Sequence, residues 1–167
     1  MEKLERILAP TDFSECSKEA FEEAIFLAKR LNATILLAHV MESLGYPIDF
    51  GHFDPLGYYE LETNQALERM AHSGREKGVL IETHLLKGEP SAEILKAAQN
   101  LKCDLIVMGT HGRRGMAHLM MGSVAERIIR SSPVPVLTVR RPIEGVSSEG
   151  EMKAGNTETR QRGEILI

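Results

Sequence analysis

Short apolar runs alternate along the chain with longer stretches whose apolar positions recur every three or four residues. Leu4 to Ala9, Thr34 to Val40, Val79 to Leu85, Cys103 to Met108 and Pro135 to Val139 have strand length. Between them, Phe21, Ala24, Ile25, Ala28 and Leu31 fall on one helical face. So do Ala66, Leu67, Met70 and Ala71, then Ile94, Leu95, Ala98 and Leu101, and last Val124, Ala125, Ile128 and Ile129. The boundaries carry their own signals. Ser14 or Ser17 suits the N-cap of the first helix, and Asn32 its stop. Gly78 suits the end of a helix over 60–77, and Glu89-Pro90 the start of the next. Residues 41–59 have no period and hold five of the eight aromatic residues. So long a loop serves as a lid, as a packing arm for a partner, or merely as a connector.

Five strands alternating with four helices imply a parallel sheet with helices on both faces, an α/β Rossmann-like fold. The strand orders 2-1-3-4-5 and 3-2-1-4-5 both satisfy this pattern. Glu82 and His84 interleave with apolar residues in the third strand, which marks an edge and favours 3-2-1-4-5. Strands one and four are then neighbours at the topological switch point, where such sheets bind ligands.

Composition changes this picture little. An apolar content of 43% in 167 residues supports one sizeable core, assigned to residues 1–141. Residues 142–167 read as a flexible polar tail. Its last triplet, Ile165-Leu166-Ile167, is apolar enough to dock as an added strand or to contact a partner. A net charge of −4 without a basic stripe argues against nucleic-acid binding. There is no apolar run near 18 residues and no signal-like N-terminus, so membrane association is not expected. Two cysteines outside any Cys-x-x-Cys pair point to a reducing cytoplasm. Cys16 as a redox sensor is the less favoured alternative to an ordinary buried thiol.

The candidate chemistry sits after the fourth strand. Met108 is followed by Gly109, Gly112 and Gly115, and Gly122-Ser123-Val124 opens a helical pattern. A strand, a glycine loop and a helix start gather bare N–H groups around an anion, and the helix dipole favours negative charge. His111 and Arg113 lie within this loop, and Arg113 suits charge-assisted bonds to phosphate. The bland alternative is a surface turn with convenient glycines. The loop histidines His111 and His118 fit solvent exposure better than a base or metal role.

The spacing Gly109-x2-Gly112-x9-Gly122-Ser123, the start Pro10-Thr11-Asp12 and the end Ser132-Pro133-Val134-Pro135-Val136-Leu137-Thr138-Val139 resemble the universal stress protein family in its ATP-binding branch. The resemblance covers roughly residues 1 to 141. It implies a nucleotide site at Pro10, Asp12, Val40, Gly109, Gly112, Gly122 and Ser123, with an adenine-nucleotide-binding fold of the kind first read from the pattern. Thr11, Met108, His111, Arg113 and Val124 flank these positions and complete the candidate set. Asp12 is an acceptor for a base amino group or ribose hydroxyls, or else caps the first helix. Val40 suits an apolar contact with the base. The implied ligand is ATP, with Mg²⁺ or Mn²⁺ held only through its phosphates. The resemblance also implies a homodimer through the last strand, Val134 to Val139, where an apolar edge would otherwise lie open.

Catalysis is less well supported than binding. The P-loop Gly-x4-Gly-Lys-Ser/Thr is absent, and so is Gly-x-Gly-x-x-Gly after the first strand. No nucleophile–base pair stands out, and no His/Cys/carboxylate spacing fits zinc. The resemblance therefore implies an ATP-binding, homodimeric stress regulator, with at most slow ATP hydrolysis. Its alternatives are a dimerising interaction module without nucleotide, and an enzyme on a related fold.

Overall fold

The computed structural model describes residues 3–42, 55–112, 121–140 and 165–166. Its elements run β1 (Arg6–Pro10), α1 (Glu15–Leu31), β2 (Thr34–Met41), α2 (Pro55–Arg75), β3 (Ile81–Lys87), α3 (Pro90–Asn100), β4 (Leu105–Gly109), α4 (Ser123–Ser131), β5 (Val136–Val139) and β6 (Ile165–Leu166). The sheet order is β3-β2-β1-β4-β5-β6. The first five strands are parallel in the expected order 3-2-1-4-5, with β3 at an edge. The short β6 lies antiparallel beside β5, pairing Leu166 with Thr138 and Ile165 with Val139.

The continuous apolar runs are explained by two cores. Successive strand residues point to opposite faces, so a strand covered on both sides is apolar throughout. Ile7, Ala9, Ile35, Leu37 and Val107 pack with Phe21, Ala24, Ile25, Leu67 and Ala71 of α1 and α2. Leu8, Leu36, Ala38, Ile106 and Met108 pack with Ile94, Ala98, Ala125 and Ile128 of α3 and α4. The sheet is thus sandwiched between two helix pairs, and its switch point falls between β1 and β4.

The helix ends follow local chemistry. Ser14 caps α1 by accepting from Ser17 N, and Asn32 ends it in the left-handed conformation, φ 53°. Glu89 caps α3 through Ala92 N, with Pro90 at the first helical position. These bonds hold the Glu89 carboxyl below its usual pKa, chiefly through Ser91 Oγ and then Ala92 N.

Two expectations need correction. The helix expected from Glu60 begins at Pro55, so Tyr58 and Tyr59 are helical and not part of the loop. The fourth helix was expected to bury Ile129 beside Ile128. Instead Ile129 is 45% exposed while Ile128 is fully buried, because a nine-residue helix lays only a narrow stripe on the sheet.

Candidate functional site

Two loops meet at the carboxyl ends of β1 and β4. The first runs from Pro10 to Ser14 and is closed by its own side chains. Thr11 continues the strand one step further, donating its N–H to Ala38 O at 2.8 Å. The Thr11 hydroxyl is buried, accepts from Phe13 N at 3.0 Å and shares a hydrogen bond of 3.0 Å with Ser17 Oγ. The Thr11 carbonyl accepts from Nδ1 of the buried His39 at 2.7 Å. A carbonyl can only accept, so this bond places the His39 proton on Nδ1. The Phe13 ring lies 4.6 Å from the His39 ring, tilted by 32°. Phe13 itself takes φ 64°. A left-handed backbone at a non-glycine residue is held only where its surroundings over-determine it.

Asp12 follows from this turn. Its Oδ1 accepts from Ser14 N at 3.1 Å and from Ser14 Oγ at 2.6 Å. Ser14, not Asp12, is the residue that caps α1. Asp12 supports that cap from outside, so part of the capping alternative holds. Its other oxygen, Oδ2, faces the second loop. A Cβ built on Gly112 would stand 2.8 Å from it. Glycine at 112 is what lets the carboxylate approach the backbone of the second loop.

The second loop leaves β4 through Thr110, His111 and Gly112 and returns at Met121 and Gly122. Thr110 is 2% exposed. Its N–H donates to Val139 O at 3.0 Å, its carbonyl accepts from Gly122 N at 2.8 Å, and its hydroxyl pairs with His111 Nδ1 at 2.8 Å. Thr110 thereby fastens the helix start to the sheet. Gly122 is the N-cap of α4 and offers no side-chain cap. The first bond inside the helix is Glu126 N to Gly122 O. The N–H groups of Ser123, Val124 and Ala125 therefore have no acceptor within the helix, as at any uncapped helix start. Gly122 also approaches closely: its Cβ would meet Thr110 O at 3.3 Å and Gly112 N at 3.8 Å.

Most of the expected residues therefore converge. Asp12, which follows Pro10 and Thr11, faces Gly112, and Gly122, which precedes Ser123 and Val124 at the start of α4, adjoins Thr110 to Gly112. Val40 lies next to His39 near the end of β2, partly buried. Met108 is buried in the core beneath the site. Gly109 has a different surrounding. It is the last residue of β4, and its Cβ would fall 2.7 Å from Cys16 Sγ and 3.1 Å from the Cys16 backbone. Its lack of a side chain lets the start of α1 sit on β4. Arg113, Gly115 and His118 lie outside the described residues.

His39 and Thr110 were not singled out by sequence. A signal for His39 existed: one polar residue inside an apolar strand must find a partner when buried. Neither cysteine forms a disulfide among the described residues. Burial pushes the Cys103 thiol up to about 11, which keeps it neutral and unreactive. Among the described residues no group of three His, Cys or carboxylate side chains could hold a metal, and no helix is long and apolar enough to cross a membrane. The arrangement suits an anion at the α4 start with a polar group held by Asp12 across from it.

Residues 3–140 match the sequence profile described as the universal stress protein family. A universal stress protein of Methanocaldococcus jannaschii, MJ0531, is 38% identical over 141 residues, covering 82% of each chain. Among solved structures, the hypothetical protein MJ0577, a universal stress protein of the same organism, superimposes with a TM-score of 0.69 at 26% identity. That match covers 84% of this chain and 99% of the other. A universal stress protein crystallised in complex with cAMP gives a TM-score of 0.61 at 25% identity, covering 83% of this chain and 98% of the other.

Proposed function

The chain belongs to the universal stress protein family, and from that premise we propose that it is an ATP-binding homodimer whose nucleotide occupancy alters its conformation or its partners. The observation that carries the reading is the uncapped start of α4 set against Asp12 across Gly112. A nucleotide needs both an anion cradle and a polar group for its sugar or base, and here the two are adjacent. The cAMP complex of a family relative supports an adenine nucleotide as the ligand class.

Each residue has a role in this reading. The N–H groups of Ser123, Val124 and Gly112 hold phosphate oxygens, helped by the helix dipole. Asp12 accepts from ribose hydroxyls or the base amino group. Val40 and the Pro10–Thr11 backbone line the base. His39 fixes the Thr11 carbonyl and thereby the shape of that wall. Mg²⁺ or Mn²⁺ arrives with the phosphates, since the described residues offer no independent carboxylate cluster. In this reading binding is the function, with hydrolysis at most slow. Two free buried thiols suit a reducing cytoplasm. The partner edge is β5 with the preceding residues, Val134 to Val139, and the downstream protein is one that distinguishes loaded from empty dimer.

The test is calorimetric titration of nucleotide-stripped protein with ATP, ADP and AMP, with and without Mg²⁺. Micromolar affinity is expected, with loss of at least about a hundredfold in Gly122→Val. The valine Cβ would crowd Thr110 O and its methyls would fill the phosphate space. No heat with any adenine nucleotide would sink the reading.

A further inference from the structure

The outer edge of β5 is an interaction surface, and its pairing with β6 identifies what competes for it. β4 takes one edge of β5 along its whole length, Val136 to Val139. The other edge accepts β6 at Thr138 and Val139. One strand edge can hydrogen-bond to one further strand at a time. A second copy of the chain joined at β5 about a two-fold axis normal to the sheet would present its own β5 antiparallel. β6 is antiparallel too. The chain's last described residues therefore occupy the position and the polarity of a dimer partner.

We propose that Ile165–Leu166 acts as an intramolecular cap on β5, and that homodimerisation requires its release. The proposal rests on the homodimer reading above and adds what regulates it. Being part of the same chain, β6 competes as a tethered group, an advantage that a second copy at micromolar concentration must overcome. The cap is two residues long, so it is weak and readily displaced. It pairs with the Thr138–Val139 half of β5 and leaves Val136 and Leu137 without a β6 partner. A second copy can thus begin pairing at the uncapped half and displace β6 from there. If each copy is uncapped one-tenth of the time, both must be uncapped together, and the apparent dimer Kd rises about a hundredfold.

The test compares the full chain with Ile165→Pro/Leu166→Pro. Proline lacks the N–H a ladder needs and is disfavoured in a strand, and neither site lies in the described core. Ile165→Val/Leu166→Val keeps strand character and serves as the control. Dimer Kd is measured by sedimentation velocity over a concentration series, and amide exchange at Thr138, with Val139 as the β4-facing control, is followed in the dilute, monomeric range. The expected result is a Kd lowered about ten- to a hundredfold in the proline variant alone, with faster exchange at Thr138 in its monomer and unchanged exchange at Val139, whose backbone faces β4. An unchanged Kd with dimers present in both would overturn the cap while leaving the homodimer standing. A raised Kd would mean that β6 belongs to the dimer interface, and overturns it too. If no variant associates at any concentration, the homodimer reading itself fails and the cap with it.

Discussion

The loops that follow β1 and β4 lie side by side, yet they are built differently. From Thr11 to Ser14 the first loop is held by side chains: Thr11, Asp12, Ser14, Ser17 and His39 all bond within it or to it. Among the described residues the second is tied to the sheet and to the helix start chiefly by backbone, through the Thr110 N–H and carbonyl and the close approach of Gly122, and it ends in a helix start without a side-chain cap. A loop that satisfies its own polar groups supplies a fixed shape. A loop of glycines ending in an uncapped helix supplies N–H groups and a partial positive charge. A nucleotide site uses both, one wall for shape and one for charge. The division also predicts how each wall fails when it is altered.

The largest effect is expected at Gly109, which belongs to the frame beneath both loops. In Gly109→Ala the new methyl meets Cys16 Sγ at 2.7 Å and the Cys16 backbone at 3.1 Å. The thiol can turn aside but the backbone of the first helical turn cannot. Overpacking of this kind costs about 1–3 kcal/mol, and the backbone contact puts it near the top of that range. For a chain of this size each kcal/mol lowers Tm by about 2–4 °C. A Tm fall of about 6–12 °C in calorimetry is expected, with Cys16→Ala restoring part of it. An unchanged Tm would mean that Gly109 serves the ligand and not the packing.

Next comes Thr11→Val, which opens the wall that supplies shape. Valine keeps the volume but removes the acceptor of Phe13 N and the partner of Ser17 Oγ. Leaving a buried donor unsatisfied costs about 1–3 kcal/mol. Stability should fall by about 2 kcal/mol in urea unfolding, at the middle of that range. Nucleotide affinity should fall as well, because Asp12 is next in the chain. If stability falls with affinity intact, the first loop is not a wall of the site.

The frame was legible in the sequence because its signals are local. Asn32, Glu89 and Pro90 announced their helix ends, and the interleaved Glu82 and His84 announced an edge strand. Where the signal depended on burial, reading failed. Leu56, Tyr58 and Leu61 are 53%, 59% and 54% exposed, so the first turns of α2 carry no inward stripe that periodicity could detect. The candidate site was legible as glycines and one carboxylate because they stand directly after the ends of two apolar strands, at Pro10 and Gly109. What could not be read is which glycine does what. Gly109, Gly112 and Gly122 look alike in sequence and differ only in their neighbours: a thiol with its backbone, a carboxylate, and a carbonyl. His39 escaped because its role lies in a bond to a residue 28 positions away.

The smallest effect sharpens the comparison most, because it touches the line where the two walls meet. Gly112 is exposed and packs against no core residue, so Gly112→Ala should lower Tm far less than Gly109→Ala does, by no more than the loosened support of the α1 cap. Its methyl would stand 2.8 Å from Asp12 Oδ2, closer than such atoms can approach. Oδ1 is already held by Ser14, so the carboxylate cannot rotate away without breaking the support of the α1 cap. The expected result is a loss of about tenfold in nucleotide affinity, or about 1.4 kcal/mol. A double-mutant cycle with Asp12→Ala decides its origin, since residues acting through one contact are not additive. If Gly112 matters because it admits the carboxylate, Gly112→Ala adds nothing once Asp12 is alanine. If the two losses add, Gly112 acts through its own N–H on the phosphate. The charge-supplying wall then extends further toward β4 than the start of α4.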